Sequence, residues 1–312
     1  MPGSRILFIG GASLELNMNM YKLPSQGESI TDDGGVAYIP SGRASLAAAA
    51  AVKMGADSAL LARLGADAHG HQLFSFLKES GVDTGFIKAD RERPSGFNVI
   101  MKEADGSERC VCYPGANLDI SADSVKEAMD SMPDAVFISL EIPFSVATLA
   151  VRAANSRGIP VFVDGSPASS ERPIEELPEV TGFIVNTEEI HEYTGEMPAG
   201  ATASLRAALA LAKRVKSKYY LIKQGARGTF IYDGKHYRVE SALRLDKTKD
   251  VNGVGDVYAA ALVLEFARSG FDINTAVRYA TAATAVFVTR EGALSSVPTD
   301  DEVMTVYNRN YN

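Results

Sequence analysis

Short apolar runs at residues 6–9, 59–61, 135–140, 159–163, 182–185 and 219–222 punctuate this chain, and helical patterns fill the gaps between them. Those patterns cover 44–54, 71–79, 122–132, 145–156 and 203–215. A short run without polar alternation reads as a strand buried on both faces. Strand, helix and strand in repetition require a parallel sheet, because parallel neighbours are joined by a crossover, most often a helix. The expected fold class is α/β: a doubly wound, mostly parallel sheet flanked by helices. After residue 256 the pattern turns mostly helical, through 273–289. No internal repeat and no low-complexity linker interrupts it, so one domain over 1–312 is expected.

Two stretches break the alternation, at about 13–39 and 96–113. In the second, Phe97-Asn98-Val99-Ile100-Met101 and Arg109-Cys110-Val111-Cys112-Tyr113 flank Ala104-Asp105-Gly106-Ser107. Asp-Gly between two alternating runs signals a hairpin. The two stretches together are expected to form a small antiparallel sheet standing off the main body. Such a flap could cover a site and exclude water.

Charge narrows the choice of partner. A net charge of −8 argues against broad nucleic-acid binding through phosphates. No stretch reaches the roughly 18 apolar residues of a membrane-spanning helix. The opening Met1-Pro2-Gly3-Ser4-Arg5 is unlike a signal peptide. The only cysteines, Cys110 and Cys112, suit a reducing compartment. A cytoplasmic location is therefore expected. His69, His71, His191 and His236 show no metal-ligand spacing.

Asp250-Val251-Asn252-Gly253-Val254-Gly255-Asp256 leads straight into the helix-forming segment 257–266. Glycines at a helix start let the backbone turn tightly and let a ligand come close. The first helical amides lack internal partners and carry the positive end of the dipole. Such a site takes an anion, most often phosphate. A carboxylate beside it is unfavourable unless it has work there, and Asp256 could take a proton from a hydroxyl attacking a phosphoryl group. The bland alternative is an ordinary Asp in a first helical turn. The chain has no G-x-G-x-x-G for a nicotinamide dinucleotide and no G-x-x-x-x-G-K-[ST] phosphate loop.

Further motifs occur in order: Gly10-Gly11-Ala12-Ser13-Leu14-Glu15, Leu23-Pro24-Ser25-Gln26-Gly27-Glu28, and Pro40-Ser41-Gly42-Arg43-Ala44-Ser45-Leu46-Ala47 running on to Met54-Gly55. Pro114-Gly115-Ala116-Asn117, Asn186-Thr187-Glu188-Glu189, Gln224-Gly225-Ala226-Arg227-Gly228, and Gly292-Ala293 with Pro298-Thr299 follow. With 250–256, which is similar to D-T-x-G-A-G-D, this series resembles the ribokinase family, the PfkB-type carbohydrate kinases, over nearly the whole chain. The resemblance implies a ribokinase-like domain with a β-sheet lid, formed here by about 13–39 and 96–113. It implies transfer of the γ-phosphate of ATP, with Mg²⁺, to a sugar-like alcohol, and a homodimer joined through the lid.

Residue by residue, the resemblance makes Asp256 the general base and the amides of Gly253, Val254 and Gly255 the anion hole. Ser13, Glu15, Gly42, Arg43, Leu46 and Glu141 fall at substrate positions. Gly42 is expected close to the sugar, where a side chain would collide. Asn186, Gln224, Gly225, Gly228 and Thr281 fall at the nucleotide site. Glu189 falls where Mg²⁺ is held through water, although Asn186 with Glu189 is also a helix-capping pattern. Asp250 falls in a loop that binds a monovalent cation, K⁺, in some relatives. Glu15 stands where the family has Asp, Ser13 and Leu46 where ribokinase-like members have Asn. These departures leave the acceptor open between a sugar and a nucleoside, and keep a non-catalytic sugar-binding relative as an alternative.

Overall fold

The computed structural model describes residues 3–292 and 294–311, so Met1, Pro2, Ala293 and Asn312 lie outside the described residues. The first half runs β1 (Arg5–Ile9), β2 (Ser13–Met20), β3 (Val36–Ser41), α1 (Arg43–Lys53), β4 (Asp57–Gly65), α2 (Ala68–Glu79), β5 (Ile87–Asp90), β6 (Gly96–Glu103) and β7 (Glu108–Tyr113). Then come α3 (Ala122–Met129), β8 (Ala135–Ser139), α4 (Phe144–Asn155), β9 (Val161–Asp164), β10 (Val180–Asn186), α5 (Thr187–Thr194) and α6 (Ala201–Ala212). The chain closes with β11 (Ser217–Lys223), β12 (Thr229–Tyr232), β13 (Tyr237–Glu240), α7 (Val254–Arg268), α8 (Ile273–Phe287) and α9 (Asp300–Tyr311).

The main sheet has nine strands in the order β13-β12-β11-β10-β9-β8-β1-β4-β5. Its strands from β11 to β5 are parallel neighbours, and β12 and β13 add an antiparallel edge. All six apolar runs are strands, as expected. The short strands β5, β12 and β13 lie outside those six runs.

Strand alternation divides the core into two layers. Ile6, Phe8, Leu60, Phe137, Phe162 and Leu221 join the layer under α1, α7 and α8. Leu7, Ile9, Leu61, Val136, Val163 and Ile222 join the layer under α4 and α6. Each fully buried side chain of this size contributes about 1.5–3 kcal/mol of transfer free energy. In α1, Ala47, Ala48, Ala49, Ala50 and Ala51 are buried, in one layer with Ala259, Ala260 and Ala261 of α7. Small side chains on both helices let their backbones come close, which seats the start of α1 beside the start of α7.

A second sheet has the order β3-β2-β6-β7. It corrects one expectation: its central pair, β2 with β6, is parallel, with Ser13 opposite Gly96. The reason is topological. β2 leaves the carboxyl end of β1 and β6 follows β5, which runs parallel in the same sheet, so both strands head outward in one direction. The returning strands β3 and β7 pair antiparallel, as expected. The hairpin at Asp105-Gly106 is present, with Gly106 at φ 87°. Among the described residues no helix is long and apolar enough to cross a membrane.

Candidate active site

The site is built where α7 begins. Asp250 Oδ1 accepts from the Asn252 amide at 2.9 Å, tightening the turn before the helix. Gly253 then adopts φ 81°, a left-handed conformation natural only to glycine, and caps α7 with no side-chain partner. The Asp256 and Val257 amides donate to Gly253 O at 3.0 and 3.1 Å. The Val254 amide donates back to Val251 O at 3.2 Å. It was expected in the anion hole and is already spent. No protein acceptor takes the Gly253 or Gly255 amide among the described residues. Two donors at the positive end of a 15-residue helix are thus open to an anion.

Two cavities meet at this helix end. One, of about 530 Å³, lies under the small sheet and is lined by Glu15, Gly42, Leu46, Glu141, Gly253 and Asp256, among others. The other, of about 520 Å³, is lined by Asn186, Gln224, Gly225, Gly228, Val254 and Thr281, among others. Arg43 and Gly255 line both. The residues assigned to acceptor and nucleotide therefore sort to opposite sides of the α7 N-terminus.

Buried charge dominates the space between. Arg43 Nη1 lies 3.9 Å from Asp164 and Nη2 lies 3.4 Å from Glu189. Burial works against the Arg43 charge, but Asp164, Asp256, Glu189 and Glu141 outweigh it and raise its pKa further. Glu141 accepts from the Arg43 amide at 2.9 Å and from Ser139 Oγ at 3.1 Å. Burial still pushes the Glu141 carboxyl above its usual range. Burial also pushes Asp256 up to about 7, with Asp164 and Glu141 adding to the rise and Arg43 and Lys223 opposing it. Asp256 lines the acceptor cavity and is only partly exposed. Asp164 is buried too, but Lys223 and Arg43 overcome that and hold it below the usual carboxylate range.

Several expected residues do something other than expected. Ser13 does not line the acceptor cavity; it is buried and its Oγ accepts from Asn117 Nδ2 at 3.2 Å. Glu15 does line the cavity, its carboxyl held by Asn17 at 2.7 Å and Ser41 at 3.0 Å. Gly42 also lines it, and its own backbone already demands glycine. Its φ is 106°, and a Cβ there would lie 2.4 Å from Gly11 O. Leu46 lies between the polar cavity and an apolar recess containing Val257, Phe287, Leu294 and Val297.

On the other side, Asn186 and Glu189 form a complete capping box at the start of α5. One Glu189 oxygen takes the Asn186 amide at 2.7 Å and the other faces Arg43. Gln224 Nε2 is turned inward, donating to Ser204 Oγ at 2.6 Å and Pro198 O at 3.3 Å. Thr281 Oγ1 donates to Val277 O at 2.8 Å. Gly228 has φ 88°, and a Cβ there would meet Glu240 O at 2.0 Å. Asp250 lines neither cavity.

Sequence reading missed Asp164 and Lys223, paired at 3.3 Å. A signal was available. Each closes an apolar strand at its carboxyl end, the edge of an open α/β sheet where ligands bind.

An anion-binding helix end set between two cavities at that edge is equipment for moving a phosphoryl group. Residues 4–300 match the family described as pfkB family carbohydrate kinase. The chain belongs to that family. It is a ribokinase-like sugar kinase, a phosphotransferase with an alcohol acceptor. It is 26% identical to the ribokinase of Arabidopsis thaliana over 96% of this chain and 80% of that protein. It is 28% identical to the ribokinase of Bacillus subtilis (strain 168), covering 96% of this chain and 97% of that one. Its fold is that of the Arabidopsis thaliana ribokinase solved with ribose and ATP, with TM-score 0.89, 24% identity, and coverage of 98% and 99% of the two chains.

Gly42→Ala forces a positive φ on a side chain and drives it into Gly11. Stability is expected to fall by more than about 1 kcal/mol. Denaturant unfolding checks this, and an unchanged midpoint would refute the backbone account of this glycine.

Proposed function

We propose that this chain transfers the γ-phosphate of ATP to a hydroxyl of a sugar or closely related alcohol. Asp256 is the general base, and the amides of Gly253 and Gly255 form the anion hole. The observation that carries this reading is that the Asp256 carboxyl and those two open amides line one cavity. The acceptor hydroxyl occupies that cavity and the nucleotide the other. Asp256 takes the hydroxyl proton as the oxygen attacks phosphorus. The amides and Arg43 hold the charge that grows on the transferring group, and such preorganised donors supply most of the rate in phosphoryl transfer. A base whose pKa is about 7 is matched to neutral pH.

Mg²⁺ bound with the nucleotide would neutralise phosphate charge. Among the described residues no cluster of three His, Cys, Asp or Glu is suited to a metal. Magnesium readily keeps water and phosphate as its ligands, so this site fits an ion carried in by ATP, with Glu189 acting only through water. K⁺ near Asp250 would act on the turn that presents Gly253.

The acceptor cavity mixes Glu15, Asn17 and Arg43 with Ile39, Pro40, Leu46 and Ile100. That apolar flank is the feature that favours a nucleoside as the second reading. The small sheet is read as the lid. Its face away from the cavity exposes Val36, Tyr38, Val111 and Tyr113, and a second copy of the chain would cover them. Free Cys110 and Cys112 fit a reducing cytoplasm.

Asp256→Asn is expected to fold and to lose roughly 10²–10⁴-fold in turnover, the scale of a positioned base. The assay is ATP consumption with ribose, fructose, 2-keto-3-deoxygluconate, adenosine, inosine and pseudouridine. Near wild-type turnover in the variant would sink the assignment.

The pH dependence has two opposite limbs. Activity needs ionised Asp256, so kcat/KM should rise with pH through about 7 and then level off. Stability runs the other way. The unfolded Asp256 loses its proton near 3.8 and the folded one near 7, so stability falls as pH rises across that window. Asp256→Asn should therefore gain in thermal midpoint over the parent above pH 7. A variant less stable than the parent there would contradict the buried-carboxyl account.

The parent protein should sediment as a dimer. Val111→Glu on the outer face of the lid should sediment as a monomer, and an unchanged dimer would remove that face from the interface.

A further inference from the structure

We propose that Lys223 is a catalytic cation of the phosphoryl transfer, donating from Nζ to the β-phosphate oxygens of the nucleotide, and that Asp164 is the positioning residue that aims it. The proposal rests on the kinase reading above.

Lys223 ends β11 and Asp164 ends β9, with only β10 between them in the sheet. Parallel strands end at one edge, so the two side chains meet although 59 positions separate them in the chain. Lys223 Nζ donates to Asp164 Oδ2 at 3.3 Å. Asp164 Oδ1 accepts the Ser166 amide at 3.0 Å, which fixes the carboxylate. The Asp164 side chain is 2% exposed and that of Lys223 is 14% exposed.

Withdrawing two charges from water costs several kcal/mol per ion, and an apolar pair of similar size is often as stable or more so. Stability alone is therefore a poor reason for this pair. Its surroundings supply another. Lys223 lines the nucleotide cavity together with Asn186 and Gly255. A Cβ placed on Gly255 would lie 3.4 Å from Nζ, so the ammonium stands directly beside the glycine whose amide is open. Glycine at 255 leaves that approach clear.

The two cations divide the reaction between them. Arg43 lines both cavities and so reaches the group in transit. Lys223 lines only the nucleotide side, where the leaving group sits. As the acceptor oxygen bonds to the γ-phosphorus, its proton passes to Asp256. The bond from that phosphorus to the bridging oxygen breaks, and its electron pair stays on ADP. Negative charge accumulates on the β-phosphate, and a fixed ammonium in a water-poor site stabilises it far more than one in bulk water would. The proton count is closed by Asp256, and Lys223 keeps its own protons throughout.

The test compares Lys223→Met, Lys223→Arg, Asp164→Asn and the double variant Lys223→Met with Asp164→Asn. Turnover of ATP with the best acceptor and the affinities for ADP and AMP are measured for each. Lys223→Met should lose roughly 10²–10³-fold in kcat, the scale of one removed charge-stabilising donor, with the acceptor KM little changed. ADP should bind about tenfold more weakly, the worth of one charge-assisted hydrogen bond, while AMP, which lacks the β-phosphate, binds as before. Lys223→Arg should recover part of both losses. The double variant leaves no orphaned buried charge, so it should fold and remain as slow as Lys223→Met.

Recovery of parental kcat in the double variant would overturn the proposal, because the defect would then belong to the stranded Asp164. Parental ADP affinity in Lys223→Met overturns it as well, whatever happens to the thermal midpoint. Should the parent protein turn over no acceptor, the kinase reading fails on that result, and the contrast between ADP and AMP still decides the role of Lys223.

Discussion

The guanidinium of Arg43 is the contact on which the site depends. Around it stand Asp164, Asp256, Glu189 and Glu141, contributed by β9, α7, α5 and the loop after β8. Four carboxyls in one buried space repel one another, and such an assembly persists only if a cation holds it together or if some of its members stay protonated. Both happen here. Arg43 and Lys223 keep Asp164 ionised, while Glu141 and Asp256 move upward. The upward shift of Asp256 comes first from burial, with Asp164 and Glu141 adding to it against Arg43 and Lys223. An isolated first-turn Asp on a helix would be expected to shift the other way, because the dipole favours its charge.

The fold makes this arrangement possible by bringing strand ends and helix starts to one edge. Parallel strands deliver Asp164, Lys223 and the start of α5 at their carboxyl ends. The alanine-lined contact between α1 and α7 brings Gly42, Arg43 and Gly253 to the same place. Two left-handed glycines, Gly42 and Gly253, cap those two helices without any side-chain acceptor. At α7 this leaves the Gly253 and Gly255 amides without a protein acceptor among the described residues, whereas at α1 the Arg43 amide donates to the Glu141 carboxyl and the Ser45 amide to Gly11 O. At α2, by contrast, Asp67 accepts the Gly70 amide and closes that helix to ligands.

Much of this was legible in the chain, and the parts that were not share a cause. Apolar runs announced the six inner strands because burial on both faces leaves no polar positions. The glycines of 250–256 announced the helix end because few other residues can turn so sharply. Asp164 and Lys223 carried no motif, since their meaning lies in a strand order that places β11 next but one to β9. The parallel pairing of β2 with β6 was hidden for the same reason, being set by where each strand leaves the main sheet. Ser13 fell at a substrate position by resemblance, yet its hydroxyl oxygen accepts from the buried Asn117. The Val254 amide was miscounted because only the turn's geometry reveals that Val251 O accepts it. Local chemistry could be read from sequence, but the partners chosen across distance could not.

The two sides of the site stand under different constraints. In the proposed transfer the helix end holds phosphate and Asp256 takes a proton, tasks that are the same for every acceptor. Glu15 and Leu46 line the part of the cavity that would meet the rest of the acceptor. Asn17 and Ser41 hold the Glu15 carboxyl from two sides. That fixes it as a hydrogen-bond acceptor for hydroxyls. Leu46 offers no such bond and continues into an apolar recess beside Asp256. A hydroxyl placed against Leu46 would lose its hydrogen bonds to water without replacement, at a cost of about 1–3 kcal/mol. Under the proposed function, an acceptor fitting both walls would carry neighbouring hydroxyls toward Glu15 and an unsubstituted or ring carbon toward Leu46.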